Sequence, residues 1–330
     1  MKRPIILVLT ALLLLPGCTA KKVDVPNEVE IENSEEQTEK EAVEEKKDAT
    51  KENKEDSEKI MADFKELLNN NSKPYEILVF IDGNVENISE KDADVMVMEL
   101  EKAQNLHIEN YTDILFEENY QAELDKAIDH NSGEVKVDTI KDEEMKTNIS
   151  EMLYGGYKFV MLEGSYYPIV NYELLKKYDE YLPTDSKEYI KLMAVESNQL
   201  MSADAGLVIS WEELANRTVN TEAFLDKFSD SSRKAVVGNM YRMYMEAYMF
   251  GMSNTPIHEW TDTQKIYDEV LNSYRDTVER NEGTITAGIL KEYLNILKKN
   301  DFKMKDNVSK EIYEFYNEAI KGLGLNNESN

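Results

Sequence analysis

From residue 57 to the end of the chain, apolar positions recur at intervals of three and four, the period of an amphipathic helix. Ile60, Phe64, Leu67 and Leu68 make a first short stripe, closed by Asn69-Asn70-Asn71 and the break at Lys73-Pro74. Tyr75–Ile81 is a strand candidate followed by the turn residues Asp82-Gly83-Asn84 and a second short run, Val85–Ile88, which together predict a β-hairpin. Ser89 then N-caps a helix whose face is Ala93, Met96, Val97, Leu100 and Ala103. Less regular helical stretches cover Asn110–His130 and Asp142–Tyr154. After Gly155-Gly156, the runs Tyr157–Leu162 and Tyr166–Val170 flank Glu163-Gly164-Ser165 and predict a second hairpin, with Pro168 on an edge strand.

Beyond Asn171 the pattern predicts only helices. Tyr189, Leu192, Met193, Glu196 and Leu200 share one side, and Ser210 with Glu213 forms a capping box ahead of Trp211. Val237, Met240, Tyr241, Tyr244, Met245, Tyr248, Met249 and Met252 repeat without a miss, so this Met/Tyr stripe reads as core; the opposite face carries Arg242 and Glu246. Further stripes follow around Val270, Tyr293 and Ile312. The fold expected is mainly α: an antiparallel helical bundle or short helical solenoid over 171–325, and a mixed region with small β-hairpins over 58–170, in one domain or two.

Ahead of this body lie two segments of different character. Lys2 and Arg3 precede an uncharged run, Ile5–Leu15, too short to span a bilayer as a helix and laid out like a secretory signal peptide. It ends in Leu15-Pro16-Gly17-Cys18, which resembles the lipobox of bacterial lipoprotein precursors: Leu15 at minus three, small Gly17 at minus one and the chain's single Cys at plus one. Pro16 at minus two is the less usual residue there. The resemblance implies that residues 1–17 are removed and that Cys18 carries a diacylglyceryl group. That lipid would anchor the protein to the extracytoplasmic face of the cell membrane, since two acyl chains suffice for stable attachment. Residues 19–57 hold no aromatic residue and no Gly and alternate acids with Lys and Asn. Such a segment predicts a disordered acidic tether, and as a coil about 39 residues long it would reach ~35 Å.

Charge narrows the partners. The formal charge is -28, from 66 acids against 38 Lys and Arg, and removing Lys2 and Arg3 makes it two units more negative. A chain this acidic repels nucleic acid and anionic polymers, which excludes DNA or RNA as a partner. With one Cys no disulfide forms within the chain, so the folded part stands on its core.

The inventory of chemistry is sparse. Ser231-Ser232-Arg233-Lys234 matches S-x-x-K, but its companions S-D-N and K-T-G are absent. His107, His130 and His258 are scattered, there is no H-E-x-x-H, and Asp82-Gly83-Asn84 lacks the Gly and acid of a calcium loop, so neither metal nor cofactor is expected. Tyr166, Tyr167, Trp211 and Trp260 are the candidate ligand-binding residues, able to line a groove by stacking. Gly164–Tyr172, Val208–Glu212 and Asn254-Thr255-Pro256 resemble stretches of uncharacterised secreted proteins and lipoproteins of clostridia and bacilli, a likeness that implies no activity. Phe224–Ser231 resembles a helix end and turn of tetratricopeptide-like lipoproteins, with Ser229 where that family has Pro. The reading these features favour is a membrane-anchored, non-enzymatic protein- or peptide-binding lipoprotein. The alternatives are a cell-envelope enzyme with a carboxylate site and the substrate-binding lipoprotein of an uptake system, whose domains alternate strand and helix.

Overall fold

A computed structural model of the chain describes residues 56–261 and 263–325. The signal segment 1–17, Cys18 and the tether up to residue 55 lie outside the described residues. The first helix, α1 (56–69), carries the Ile60, Phe64, Leu67 and Leu68 stripe. It stops where Asn71 takes a left-handed φ of 54°.

The expected hairpin at Tyr75–Ile88 is a correction: Pro74–Asn84 is a helix, α2. A short, mostly apolar run does not separate a strand from a buried helix, and burial shows which period won. Ile77, Leu78, Ile81 and Val85 are buried while Val79 is 67% exposed, a helical and not an alternating pattern. Pro74 occupies the first turn, where its missing N–H is harmless. The Lys73 N–H donates to Glu76 Oε2 at 2.8 Å. Asp82, read as a turn residue, accepts from the Tyr178 hydroxyl at 2.6 Å.

The next helix, α3, runs from Glu90 to Leu115 with Ser89 Oγ accepting from the Asp92 N–H. The sequence places one helical face at Ala93–Ala103 and a separate, less regular stretch at Asn110–His130; α3 runs unbroken from the first into the second. Gln104 is fully buried: its Nε2 donates to the Gly155 carbonyl at 2.9 Å, and its own carbonyl accepts from Tyr157 at 2.7 Å. Two short helices follow, α4 (Tyr120–Ala127) and α5 (Glu143–Tyr154). The hairpin expected at 157–170 is present as β1 (Tyr157–Leu162) paired antiparallel with β2 (Ser165–Val170). Glu163 and Gly164, both at positive φ, make the two-residue turn that matches strand twist. Pro168 falls opposite Phe159 in this two-stranded sheet, where every strand is an edge.

The remainder comprises α6 (Tyr172–Leu175), α7 (Thr184–Asn198), α8 (Trp211–Lys227), α9 (Lys234–Phe250), α10 (Asp268–Arg280), α11 (Ile285–Lys299) and α12 (Asp306–Gly322). The reading of 171 onward as helix alone needs one amendment: β3 (Ser202–Ala203) and β4 (Gly206–Leu207) form a second small hairpin. Helix α8 packs on α7, α9, α10 and α11, which is the arrangement of a bundle and not of a solenoid with nearest-neighbour contacts only. Two apolar clusters result. One joins α1 through α7 with β1 and β2, and the other is drawn from Met201 to Leu325; Leu192, Met193 and Leu225 touch both. Among the described residues no helix is long and apolar enough to cross a membrane.

Buried polar groups pin the helices to one another. Arg217 of α8 donates to Glu196 of α7 at 2.9 Å, to Glu213 at 2.8 Å and to the Gln199 carbonyl at 2.8 Å. Tyr244 of α9 donates to the same Glu196 at 2.7 Å. Ser210 caps α8 as expected, but Glu213 turns to Arg217 instead of closing the capping box. Glu222 accepts from the N–H groups of Ile285 (2.5 Å) and Thr286 (2.7 Å), placing a carboxylate at the positive end of α11.

At the other end of α9, the last-turn carbonyls of Tyr248 and Met249 accept from the hydroxyls of Tyr274 and Tyr293, each at 2.6 Å. Those carbonyls would otherwise lack partners. Burial pushes the hydroxyls of Tyr157, Tyr241, Tyr274 and Tyr293 well above the ordinary tyrosine range. Tyr166 is pushed up to about 12, by burial and then by Asp125. A raised folded-state pKa gives stability that is complete below the unfolded value of about 10 and lost as pH climbs toward the folded value. The expected result is alkaline unfolding that starts above about pH 10. Absorbance at 295 nm followed together with circular dichroism should show the buried tyrosinates appearing only as helix is lost. Ionisation of these tyrosines with the helix signal intact would contradict the packing described.

Candidate functional site

An open groove of about 910 Å³ lies beside α9. One wall is the α9 face left over once its Met/Tyr stripe is buried: Asn239, Arg242, Met243, Glu246 and Phe250 follow one another at helical spacing. Arg242 Nη2 donates to Asn239 Oδ1 at 2.5 Å. Phe250 stands 5.9 Å from the ring of Tyr313 and 5.7 Å from that of Tyr316, both on α12. The Tyr316 hydroxyl is raised by burial and then by the neighbouring Glu246 carboxylate.

The other wall is irregular chain. Gly251 ends α9 with φ 74° and ψ -169°, a conformation open essentially to glycine alone. The loop then returns so that the Met252 N–H donates to the Thr255 carbonyl at 2.9 Å. The turn of β3–β4, with Asp204 and Ala205 both at positive φ, docks on this loop: the Ala205 carbonyl accepts from the Asn254 N–H at 2.9 Å and Thr255 Oγ1 from the Leu207 N–H at 2.9 Å. Next, the chain at 257–259 pairs with 265–267 through Tyr267 N–H to Ile257 O (3.0 Å) and Glu259 N–H to Lys265 O (2.9 Å). Trp260 sits at the end of this strap. Thr263 and Thr261 donate to Glu259 Oε2 at 2.5 and 3.2 Å and hold its carboxyl below the usual range. Trp260 itself is 76% exposed, with the ring of His258 at 6.0 Å.

Of the four aromatic residues singled out from sequence, the structure brings no two together in one cavity. Tyr166 is buried and donates to Asp125 Oδ1 at 3.0 Å, so its ring is packing. Tyr167 lies against Phe116 at 5.3 Å. Trp211 rests on Tyr248 at 6.3 Å and faces a separate, smaller cleft. Only Trp260 borders the groove. Met243, Phe250, Glu246 and Tyr313 join it there, and sequence reading did not place them. For Met243, Glu246 and Phe250 the signal lay in the second stripe of α9, which a helix with no outer role would fill with charge, while Tyr313 comes from α12.

The groove holds one carboxylate (Glu246), one guanidinium (Arg242) and one imidazole (His258), so the opposed acids of a glycosidase are not among its lining residues. The S-x-x-K serine serves the fold: Ser231 Oγ donates to Asp185 Oδ2 at 2.6 Å and accepts from the Arg233 N–H at 3.1 Å. His107 binds the Ala103 carbonyl, His130 lies 3.8 Å from Asp125, and His258 borders the groove. Among the described residues no group of three His, Cys, Asp or Glu is placed to hold a metal ion.

Fold and groove define a mainly helical protein with an open, aromatic-edged surface depression. The chain matches no protein-family model, and no curated protein and no solved structure is significantly similar to it.

Proposed function

We propose that this is a lipid-anchored extracytoplasmic protein that holds a segment of a partner protein in the groove beside α9. One observation carries the binding: a tryptophan 76% exposed on the wall of an open groove of about 910 Å³ that Met243, Phe250 and Tyr313 also line. Exposed tryptophan around a depression is the composition of interaction hot spots, and methionine side chains repack to fit what they meet. The segment held has an apolar side chain for the Met/Phe floor and a basic one beside it for exposed Glu246, because a chain of formal charge -28 repels acidic surfaces. The anchor rests on Lys2–Cys18, whose lipobox-like ending supplies a single acylatable thiol.

Two measurements test the two halves. Cells fed labelled palmitate should label the wild-type chain and leave Cys18→Ser unlabelled; label retained by Cys18→Ser overturns the anchor. In membranes, Trp260→Ala should lower recovery of the bound partner at least about tenfold with circular dichroism unchanged. Undiminished recovery assigns the partner to another surface.

A further inference from the structure

A second cleft, of about 290 Å³, lies between the first turn of α8 and the solvent side of α10. Its makeup is unlike that of the groove. Glu269, Asn272, Ser273, Asp276 and Arg280 line it from α10 at spacings of three and four, a polar stripe aimed at Trp211 and Asn216 of α8. Trp211 is half-buried and its ring is held on Tyr248, with centroids 6.3 Å apart and planes at 32°. A solvated helix face needs no tryptophan. Here one is fixed beside a cleft whose other groups are almost all polar.

The hydrogen-bonding capacity of those groups is mixed. Arg280 is held at the rim by Glu212 at 2.8 Å, and Asn272 Oδ1 accepts from Arg275, which leaves the Asn272 amide N–H groups to donate. Among the described residues, the side chains of Asn216, Glu269 and Asp276 make no hydrogen bond. Amides supply a donor and an acceptor side by side, and carboxylates two acceptors. A simple cation would engage the acceptors and leave the asparagine donors unmatched, while an anion would meet Glu269 and Asp276. A hydroxyl both donates and accepts, and pairs of neighbouring hydroxyls suit planar amides and carboxylates. The apolar C–H face of a sugar ring suits a tryptophan. The volume lies at the small end of ligand sites, with room for one or two rings.

We propose that the cleft between Trp211 and the Glu269–Arg280 stripe is a binding site for a neutral saccharide of one or two pyranose units. It is independent of the α9 groove and stands or falls without it.

The chain's two tryptophans make the test direct. In the full chain carrying Trp260→Phe, held in a sugar-free detergent, Trp211 is the sole tryptophan reporter. Titration with N-acetylglucosamine and with cellobiose should change its emission saturably, with a midpoint in the millimolar range. At exposed positions, Asp276→Ala should raise that midpoint at least about tenfold and Asn216→Ala about two- to tenfold, the loss of one hydrogen bond to a charged and to an amide group respectively. Three results overturn the proposal. These are no saturable change with either sugar, a midpoint unmoved by both substitutions, or a response to tetramethylammonium chloride that the sugars do not give. The last result would reassign the cleft to an organic cation.

Discussion

Replacing Arg233 by Ala is expected to destabilise the fold by about 3–5 kcal/mol, the effect of removing one partner from a buried ion pair. Arg233 lies in the link between α8 and α9 with 5% of its surface exposed. Its Nη1 meets Glu101 Oε2 at 2.5 Å, its Nη2 lies 3.5 Å from Asp94 Oδ1, and its guanidinium sits 4.5 Å above the ring of Tyr189. Glu101, itself 4% exposed, also accepts from the Tyr189 hydroxyl at 2.9 Å, and Asp94 accepts from Ser186 at 2.5 Å. One cluster therefore ties α3 to α7 and to the start of α9. Without the arginine, the buried Glu101 carboxyl keeps only the phenols of Tyr189 and Tyr172 beside it and has no cation.

For a folded part of about 270 residues the loss corresponds to a fall in melting temperature of roughly 5–9 °C. Arg233→Lys should recover less than half of it, because an ammonium cannot address two carboxylates and an aromatic face together. Arg233→Met combined with Glu101→Leu should recover most of it, since an apolar pair removes the uncompensated charge. A melting temperature unchanged in Arg233→Ala would show that the cluster contributes nothing to holding these helices.

Gly251→Ala is the second large effect, and it acts on the groove as well as on stability. A Cβ at this residue would stand 2.8 Å from the Thr255 carbonyl oxygen and 2.9 Å from the Ile257 nitrogen, both backbone atoms with little room to yield. Backbone strain alone at φ 74°, ψ -169° costs about 1–3 kcal/mol. Relief requires the 252–257 loop to move, and with it the strap that carries Trp260. The expected readouts are a lower melting temperature and an altered tryptophan emission. Gly83→Ala is the control: Gly83 is within α2, has nothing within 4 Å of its Cβ position, and should be stabilised by up to about 1 kcal/mol. Equal behaviour of the two variants would contradict the described loop.

Much of this architecture is legible in the sequence where local chemistry and burial agree. Ser89 and Ser210 mark helix starts, the stripe from Val237 to Met249 faces the core, and Glu163-Gly164 turns the one hairpin with long strands. It is illegible where a short, mostly apolar run fits both periods. Tyr75–Ile81 satisfies strand and helix alike until tertiary packing buries Ile77 and Ile81 and exposes Val79. Gln104 is illegible for the opposite reason, being polar at a core position whose partners lie about fifty residues away. Ser231 could not be read as structural without knowing that Asp185 comes to meet it. The groove was legible only in part. Its helical wall follows from α9, but its other wall is loop whose course is set by long-range pairings such as Ile266 N–H to Phe302 O. Of the four aromatic candidates only Trp260 stands at the groove, because which aromatic ring is left outside depends on the whole packing.

The proposed function rests on the groove beside α9 being occupied in the working protein. A photoreactive benzophenone side chain in place of Met243, in the full chain in its own membrane, tests that occupancy at a position 41% exposed within the groove. The expected result is a discrete crosslinked partner that is absent when Trp260→Ala is added and absent when the same group replaces exposed Val79 on α2. Crosslinks of equal yield from both positions, or none from position 243, would contradict it.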